Sequence, residues 1–165
     1  MKKKLFLCFI ISLFHSKIYS QYVGNDVAPN IGISINILGP IFGIYSLGIS
    51  TFLSSQVQIG LTGSYYSTRN SEPQAEGSLI EYRMTYYFSG IQKNGITLAL
   101  SGGFESIEIK QESDQWKKYE DPIGGVIPGY NWLIGKNLHL LAGLYFGYQF
   151  GSFQIKPEIS FIYFF

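Results

Sequence analysis

The chain has 165 residues, 46% of them hydrophobic and 17% aromatic, with only 14% charged and a formal net charge of +1. Its first segment, Met1-Lys2-Lys3-Lys4 followed by an apolar run at 5–14 and a short polar stretch ending at Ser20, reads as a secretory signal peptide cut after Ser20. Without residues 1–20, eight of the twelve Lys and Arg face eleven acids, a balance near −3, and the sole cysteine and His15 are gone. That excludes disulfide and thiol chemistry and the common Cys/His zinc sites, and it lacks the basic stripe that nucleic-acid binding requires. No cofactor or metal is expected.

Residues 21–29 form a short polar lead-in, and from Asn30 the apolar period is two. Residues 30–38 set Ile31, Ile33, Ile35 and Ile37 against Gly32, Ser34 and Asn36, until Gly39-Pro40 breaks the pattern. Strands follow at 41–53 and 57–68, joined by the polar turn 54–56. A polar loop at 69–77 precedes the strand 78–88, in which Ile80, Tyr82, Met84 and Tyr86 oppose Glu81, Arg83 and Thr85. The turn 89–95 ends in Asn94-Gly95, a hairpin signal. Residues 96–109 alternate again, and 110–122 is the longest and most charged connection. The strands 123–134 and 138–150 flank a turn at 135–137, and in the second Leu144, Phe146, Tyr148 and Phe150 share the apolar face opposite Gly143, Gly147 and Gln149. The final strand, 153–165, sets Phe161, Tyr163 and Phe165 on one face with Lys156 and Glu158 on the other.

This gives an all-β chain: an eight-stranded antiparallel up-and-down transmembrane β-barrel over residues 30–165. Strands of about 9–11 residues cross a bilayer when tilted, and no stretch after residue 20 suits a spanning helix. With both ends in the periplasm, the short turns fall inside the cell envelope and the loops 69–77 and 110–122 outside, the asymmetry usual for such barrels. A soluble barrel is the competing reading. Its polar face would be rich in charge, whereas here that face is mostly Gly, Ser, Thr, Asn and Gln. Tyr65, Tyr86, Tyr130, Trp132 and Tyr163 suit interfacial aromatic belts.

Eight strands enclose an interior that side chains can fill. Glycines 60, 103, 129, 143 and 147 leave room for larger neighbours. The inward charges Glu81, Arg83, Glu105, Lys156 and Glu158 are expected to pair in one network, because an unpaired charge there is costly. Structural plugging is the expected result, and a narrow, porin-like pore for small solutes is the alternative.

The signal segment, the alternating strands, the aromatic girdles and terminal Phe165 resemble the small outer-membrane barrels of the OmpA/OmpX type. The segment 123–134 before Gly135-Lys136-Asn137 also resembles a strand of uncharacterised barrels of Bacteroidota. The resemblance implies the outer membrane of a Gram-negative cell after signal-peptide cleavage, with outer-membrane lipids and the barrel-assembly machinery as partners. It implies that Phe161, Tyr163 and Phe165 are the assembly signal. Lipid-modifying enzymes of this barrel size carry a rim His with Ser or Asp. Here His139 is followed by Leu140 and Leu141 beside a periplasmic turn, so no catalytic residue is assigned and an enzyme is the least favoured reading.

The segment 106–119 carries a further expectation. Ile107 and Ile109 alternate with Glu108 and Lys110, and Trp116, Lys117, Lys118 and Tyr119 follow a polar tip. The apolar parity shifts between Phe104 and Ile107, which predicts a bulge near Glu105-Ser106. A hairpin there would project and offer an extracellular protein or surface ligand a strand edge. The expected function is a structural or cell-surface interaction role.

Overall fold

The alternating segments become eight strands that close on themselves in a computed structural model of the chain, which describes residues 31–67, 74–110 and 115–165. The strands are β1 (Ile31–Asn36), β2 (Ile44–Phe52), β3 (Val57–Ser67), β4 (Ala75–Tyr87), β5 (Gly95–Lys110), β6 (Trp116–Leu133), β7 (Leu138–Gln149) and β8 (Ser152–Phe164). Each pairs antiparallel with the next, and β1 pairs with β8 through Gly32↔Phe164 to Asn36↔Ser160. Closure leaves no sheet edge along the middle of the wall, so backbone polar groups are satisfied inside the sheet, as a membrane requires. Residues 1–20 and 21–29, the expected signal segment and lead-in, lie outside the described residues.

Side chains divide by parity. Ile33, Leu47, Ile49, Leu61, Ile80, Leu98, Leu100, Val126 and Ile155 all point outward and are exposed. An apolar belt running right round the wall is far larger than the patches soluble monomers carry, and it suits lipid. Aromatic rings border it at both ends. At the end that carries Phe164, Tyr86–Phe88, Tyr130–Trp132 and Tyr163–Phe165 pack with centroids 5.1, 4.6 and 5.0 Å apart. At the other end Tyr45 faces Tyr65, and Tyr148 faces Phe153, across neighbouring strands.

Three boundaries differ from the sequence reading. The first strand stops at Asn36, because its side-chain Oδ1 accepts hydrogen bonds from the backbone N–H of Leu38 and of Gly39, each at 3.0 Å. This local bond competes with the ladder and starts a 3-10 turn at Gly39–Phe42, which exits through Gly43 at φ +72°. On the far side β4 begins at Ala75 and β6 at Trp116, so most of the charged connection 110–122 is strand. The ladder reaches that far because opposite charges (Glu108↔Lys118) and apolar groups (Ile107↔Tyr119) face each other.

The expected bulge is absent. The register runs without a skipped residue through Leu79↔Glu105 and Ser78↔Ser106 on one side of β5, and through Glu105↔Asp121 and Ser106↔Glu120 on the other. Ile107 instead continues the inward face of Glu105 and is buried. The parity shift marks the height at which the outer face meets water and turns polar, while the inner face becomes an apolar mouth.

Candidate functional site: a filled lumen and a projecting hairpin

The lumen is packed in layers. At the end carrying both described termini, Phe164 is fully buried, with Phe52 at 4.5 Å and His139 at 4.8 Å between ring centroids. Asn131 donates through Nδ2 to the Lys93 carbonyl at 3.2 Å, which leaves its Oδ1 to accept from His139 Nδ1 at 3.1 Å. That arrangement makes Nδ1 the protonated ring nitrogen. Beside it, the Tyr87 hydroxyl donates to Gln58 Oε1 at 2.5 Å, and Gln58 Nε2 donates to Ser50 Oγ at 2.8 Å. These rings and amides form a floor.

Above the floor sits Arg83. Its Nε and Nη2 both donate to Glu81 Oε1, at 2.9 and 2.7 Å, and its Nη1 lies 2.9 Å from Glu158 Oε2. Both carboxylates are nearly sealed from solvent, and Arg83 is little more open. The glycines explain how the cluster fits. Arg83 faces Gly60 in register, Glu81 faces Gly103 and Glu158 faces Gly143. A Cβ on Gly103 would stand 2.0 Å from the Ile80 carbonyl oxygen, so no other residue fits there without moving the backbone.

Lys156 does not join this cluster. Its Nζ donates to Gln149 Oε1 at 2.5 Å and lies 4.8 Å from the centre of the Tyr145 ring. Glu105 also stands apart. Its Oε1 accepts the backbone N–H of Phe150, and its Oε2 has no hydrogen-bond partner among the described residues. The five inward charges therefore occupy two levels: an Arg83–Glu81–Glu158 triad, and separate anchors at Lys156 and Glu105.

Phe150 departs from its expected place on the lipid face. It and Gly151 form a two-residue turn between Gln149 and Ser152, with φ of +56° and +66°. A turn with both central residues at positive φ matches the twist of a hairpin. Phenylalanine rarely adopts that conformation. Glu105 holds its N–H, and its ring packs edge-on against Tyr66 at 5.2 Å. The turn thus folds over the far mouth, beside buried Leu79, Ile107 and Ile123. Between mouth and floor a cavity of about 320 Å³ remains. The hydroxyls of Ser34, Ser46, Ser50, Thr62 and Ser64 line it together with Arg83 and Lys156. It has room for about ten water molecules.

Beyond the mouth the wall is uneven. β6 pairs with β7 only from Gly124↔Tyr148 inward, because β7 ends at Gln149. β5 and β6 continue together to Lys110↔Trp116, and β4 follows β5 to Ala75↔Ile109. A sheet of β4, β5 and β6 therefore projects past β7. Its outer margin is the β6 segment 116–123, with which nothing else pairs among the described residues. Seven steps of strand make this margin about 24 Å long.

No known family's sequence profile matches the chain, and no curated protein matches it in sequence. Its fold does match solved structures. The N-terminal β-barrel domain of Pseudomonas aeruginosa OprF superposes with a TM-score of 0.61 at 18% identity, covering 83% of this chain and 98% of that one. Neisserial surface protein A (NspA) gives 0.58 at 12% identity, covering 82% and 95%. The chain has the fold of the small eight-stranded outer-membrane barrels. The barrel reading and its strand count therefore stand, and the soluble-barrel alternative falls.

Within this barrel the predicted site residues lie as follows. Phe161, Tyr163 and Phe165 share the outward face of β8, and Tyr163 and Phe165 are exposed. Of the hairpin residues, Trp116, Lys117, Lys118 and Tyr119 are exposed, Ile109 is partly covered, and Ile107 is buried inside and unavailable to a partner. Lys118 and Glu120 form an exposed ion pair at 2.7 Å. Their hydrogen bond lowers the Glu120 carboxyl below its ordinary pKa and raises the Lys118 ammonium above its own. His139 lies in the floor, away from the surface.

The sequence reading missed the inward aromatics Phe52, Tyr66, Tyr87, Tyr145 and Phe164. A signal existed. In Tyr65-Tyr66, Tyr86-Tyr87, Tyr145-Phe146 and Phe164-Phe165, consecutive rings on a strand must face opposite sides, so one of each pair enters the lumen.

Proposed function

We propose that this chain is an outer-membrane barrel with a closed lumen, whose working part is the projecting β5–β6 hairpin, used for interaction at the cell surface. The β6 margin Trp116–Ile123, unpaired on its β7 side among the described residues, carries the reading. Exposed strand edges are normally covered or shortened, and this one is long, with Trp116 at its tip. The projection of β4, β5 and β6 at this end, with no comparable extension among the described residues at the end carrying Phe164, favours a periplasmic position for the termini and an external position for the hairpin. In this reading residues 1–20 are removed on export, lipids surround the Ile and Leu belt, and the assembly machinery reads Phe161, Tyr163 and Phe165.

The role is non-catalytic. His139 is the only histidine after residue 20, and it is committed to Asn131 and Phe164 in the floor. The packed floor and the Phe150 turn also argue against a pore. Planar-bilayer recording tests that part: no stable openings are expected, and long-lived unitary conductance would overturn the closed lumen.

The surface role is tested by replacing residues 111–118 with a short Gly-Ser turn. Cells carrying the intact or shortened barrel are compared for retention on surfaces coated with extracellular proteins, with polysaccharide, or with cells of the same strain. Loss of retention with the barrel still folded is expected. Equal retention would overturn the surface role.

A further inference from the structure

The β6 margin reads Trp116-Lys117-Lys118-Tyr119-Glu120-Asp121-Pro122, two cations and two anions placed symmetrically about Tyr119. An antiparallel strand of the same sequence, centred on Tyr119, would set each Lys117 opposite Asp121 of the other copy and each Lys118 opposite its Glu120. All four cross-strand charge pairs are then attractive. Opposite charges at facing positions stabilise antiparallel pairs, and like charges oppose them. Lys and Pro on an edge ordinarily block promiscuous pairing. Here a partner with this sequence meets both lysines with acids, and Pro122 lies just beyond the complementary stretch.

We propose that the stretch Trp116–Pro122 of the β6 margin pairs with the same stretch of a second copy standing in a facing membrane. This rests on the reading that the hairpin faces outward. The facing membrane follows from symmetry. Two antiparallel strands in one sheet are related by a two-fold axis perpendicular to that sheet. The wall of an upright barrel contains the membrane normal, so its perpendicular axis lies in the membrane plane. Rotation about that axis inverts the second barrel. Copies side by side in one membrane are related by an axis along the normal, and their β6 strands both run inward and cannot pair antiparallel. A self-matching, isologous edge is thus a bridge between two membranes. A single contact of five or six residues is weak, and many copies on each surface raise the avidity.

The test uses the full barrel in phospholipid vesicles, with clustering followed by light scattering. Wild-type vesicles should cluster, and less so as salt rises, because exposed charges are screened beyond about 8 Å at physiological ionic strength. Lys117→Glu/Lys118→Glu vesicles and Glu120→Lys/Asp121→Lys vesicles should each stay dispersed, since each then meets only like charges in self-pairing. Mixed, the two variants regain all four attractive pairs and should cluster again. That rescue also shows both variants to be folded. Dispersed wild-type vesicles, clustering of either variant alone, or no rescue by two variants with folded-barrel gel mobility would overturn the proposal. Vesicles that stay dispersed while intact cells still bind protein-coated surfaces through the hairpin would sink self-pairing and leave the surface role standing.

Discussion

Arg83→Met isolates the triad's contribution. The substitution keeps the length and apolar stem of the side chain but removes three polar contacts: two to Glu81 Oε1 at 2.9 and 2.7 Å, and one at 2.9 Å to Glu158 Oε2. It leaves two carboxylates, 5% and 7% exposed, close together without their cation. Removing one partner of a buried ion pair costs about 3–5 kcal/mol. Water in the adjoining cavity of about 320 Å³ partly solvates the orphaned acids, so the low end applies, about 3 kcal/mol. That is roughly a hundredfold or more in the folding equilibrium. Urea titration of folding into phospholipid vesicles measures it, with tryptophan fluorescence and unboiled gel mobility as independent readouts. Adding Glu81→Gln and Glu158→Gln to Arg83→Met removes the repulsion and should recover most of the loss. If Arg83→Met changes stability by less than about 0.5 kcal/mol, the range of ordinary surface substitutions, the triad is not a stabilising element. If the added glutamines recover nothing, the loss comes from packing and not from charge.

Further predictions concern the ends, the wall and the mouth. Phe164→Ala should cost about 3–5 kcal/mol by opening the floor. Exposed Phe165→Ala should leave urea stability within about 0.5 kcal/mol and act only on the rate of assembly in cells, followed by the folded fraction on unboiled gels. Gly147→Val should abolish the folded band, because a Cβ there lies 2.3 Å from the Gly124 carbonyl oxygen and 2.6 Å from the Tyr145 hydroxyl. Gly63→Ala, with nothing within 4 Å of the added carbon, should fold normally. Glu105→Ala strips the acceptor from the Phe150 N–H and should cost about 1–3 kcal/mol, with faster hydrogen exchange at that amide.

The parts of this barrel that obey period two were legible in the sequence. Ile31, Ile33 and Ile35 on one face of β1, and Glu81 and Arg83 on the inner face of β4, follow directly from alternation. Alternation does not say where a strand ends. β6 extends seven residues beyond its expected start, because that extension depends on a neighbour, β5, whose facing residues compensate Lys118 and Tyr119. The inward charges were visible as a set, but their pairing depends on the stagger between strands. Glu158 comes level with Arg83 while Lys156, two residues away, reaches Gln149 instead. Phe150 looked like one more lipid-facing aromatic, because nothing local signals a positive φ at a phenylalanine. A carboxylate from β5, forty-five positions earlier, holds it there.

The central claim is that one face of every strand meets lipid and the other meets a filled interior. A spin-label scan along β2 in vesicles, one cysteine at a time from Tyr45 to Ser50, tests it most directly. Relaxation by membrane-soluble oxygen and by a water-soluble nickel chelate is compared at each position. Tyr45, Leu47 and Ile49 should be oxygen-accessible and shielded from nickel, while Ser46 and Ser50 should show little oxygen access, giving a period of two. Strong nickel relaxation at Leu47 and Ile49, or no alternation, would contradict the account.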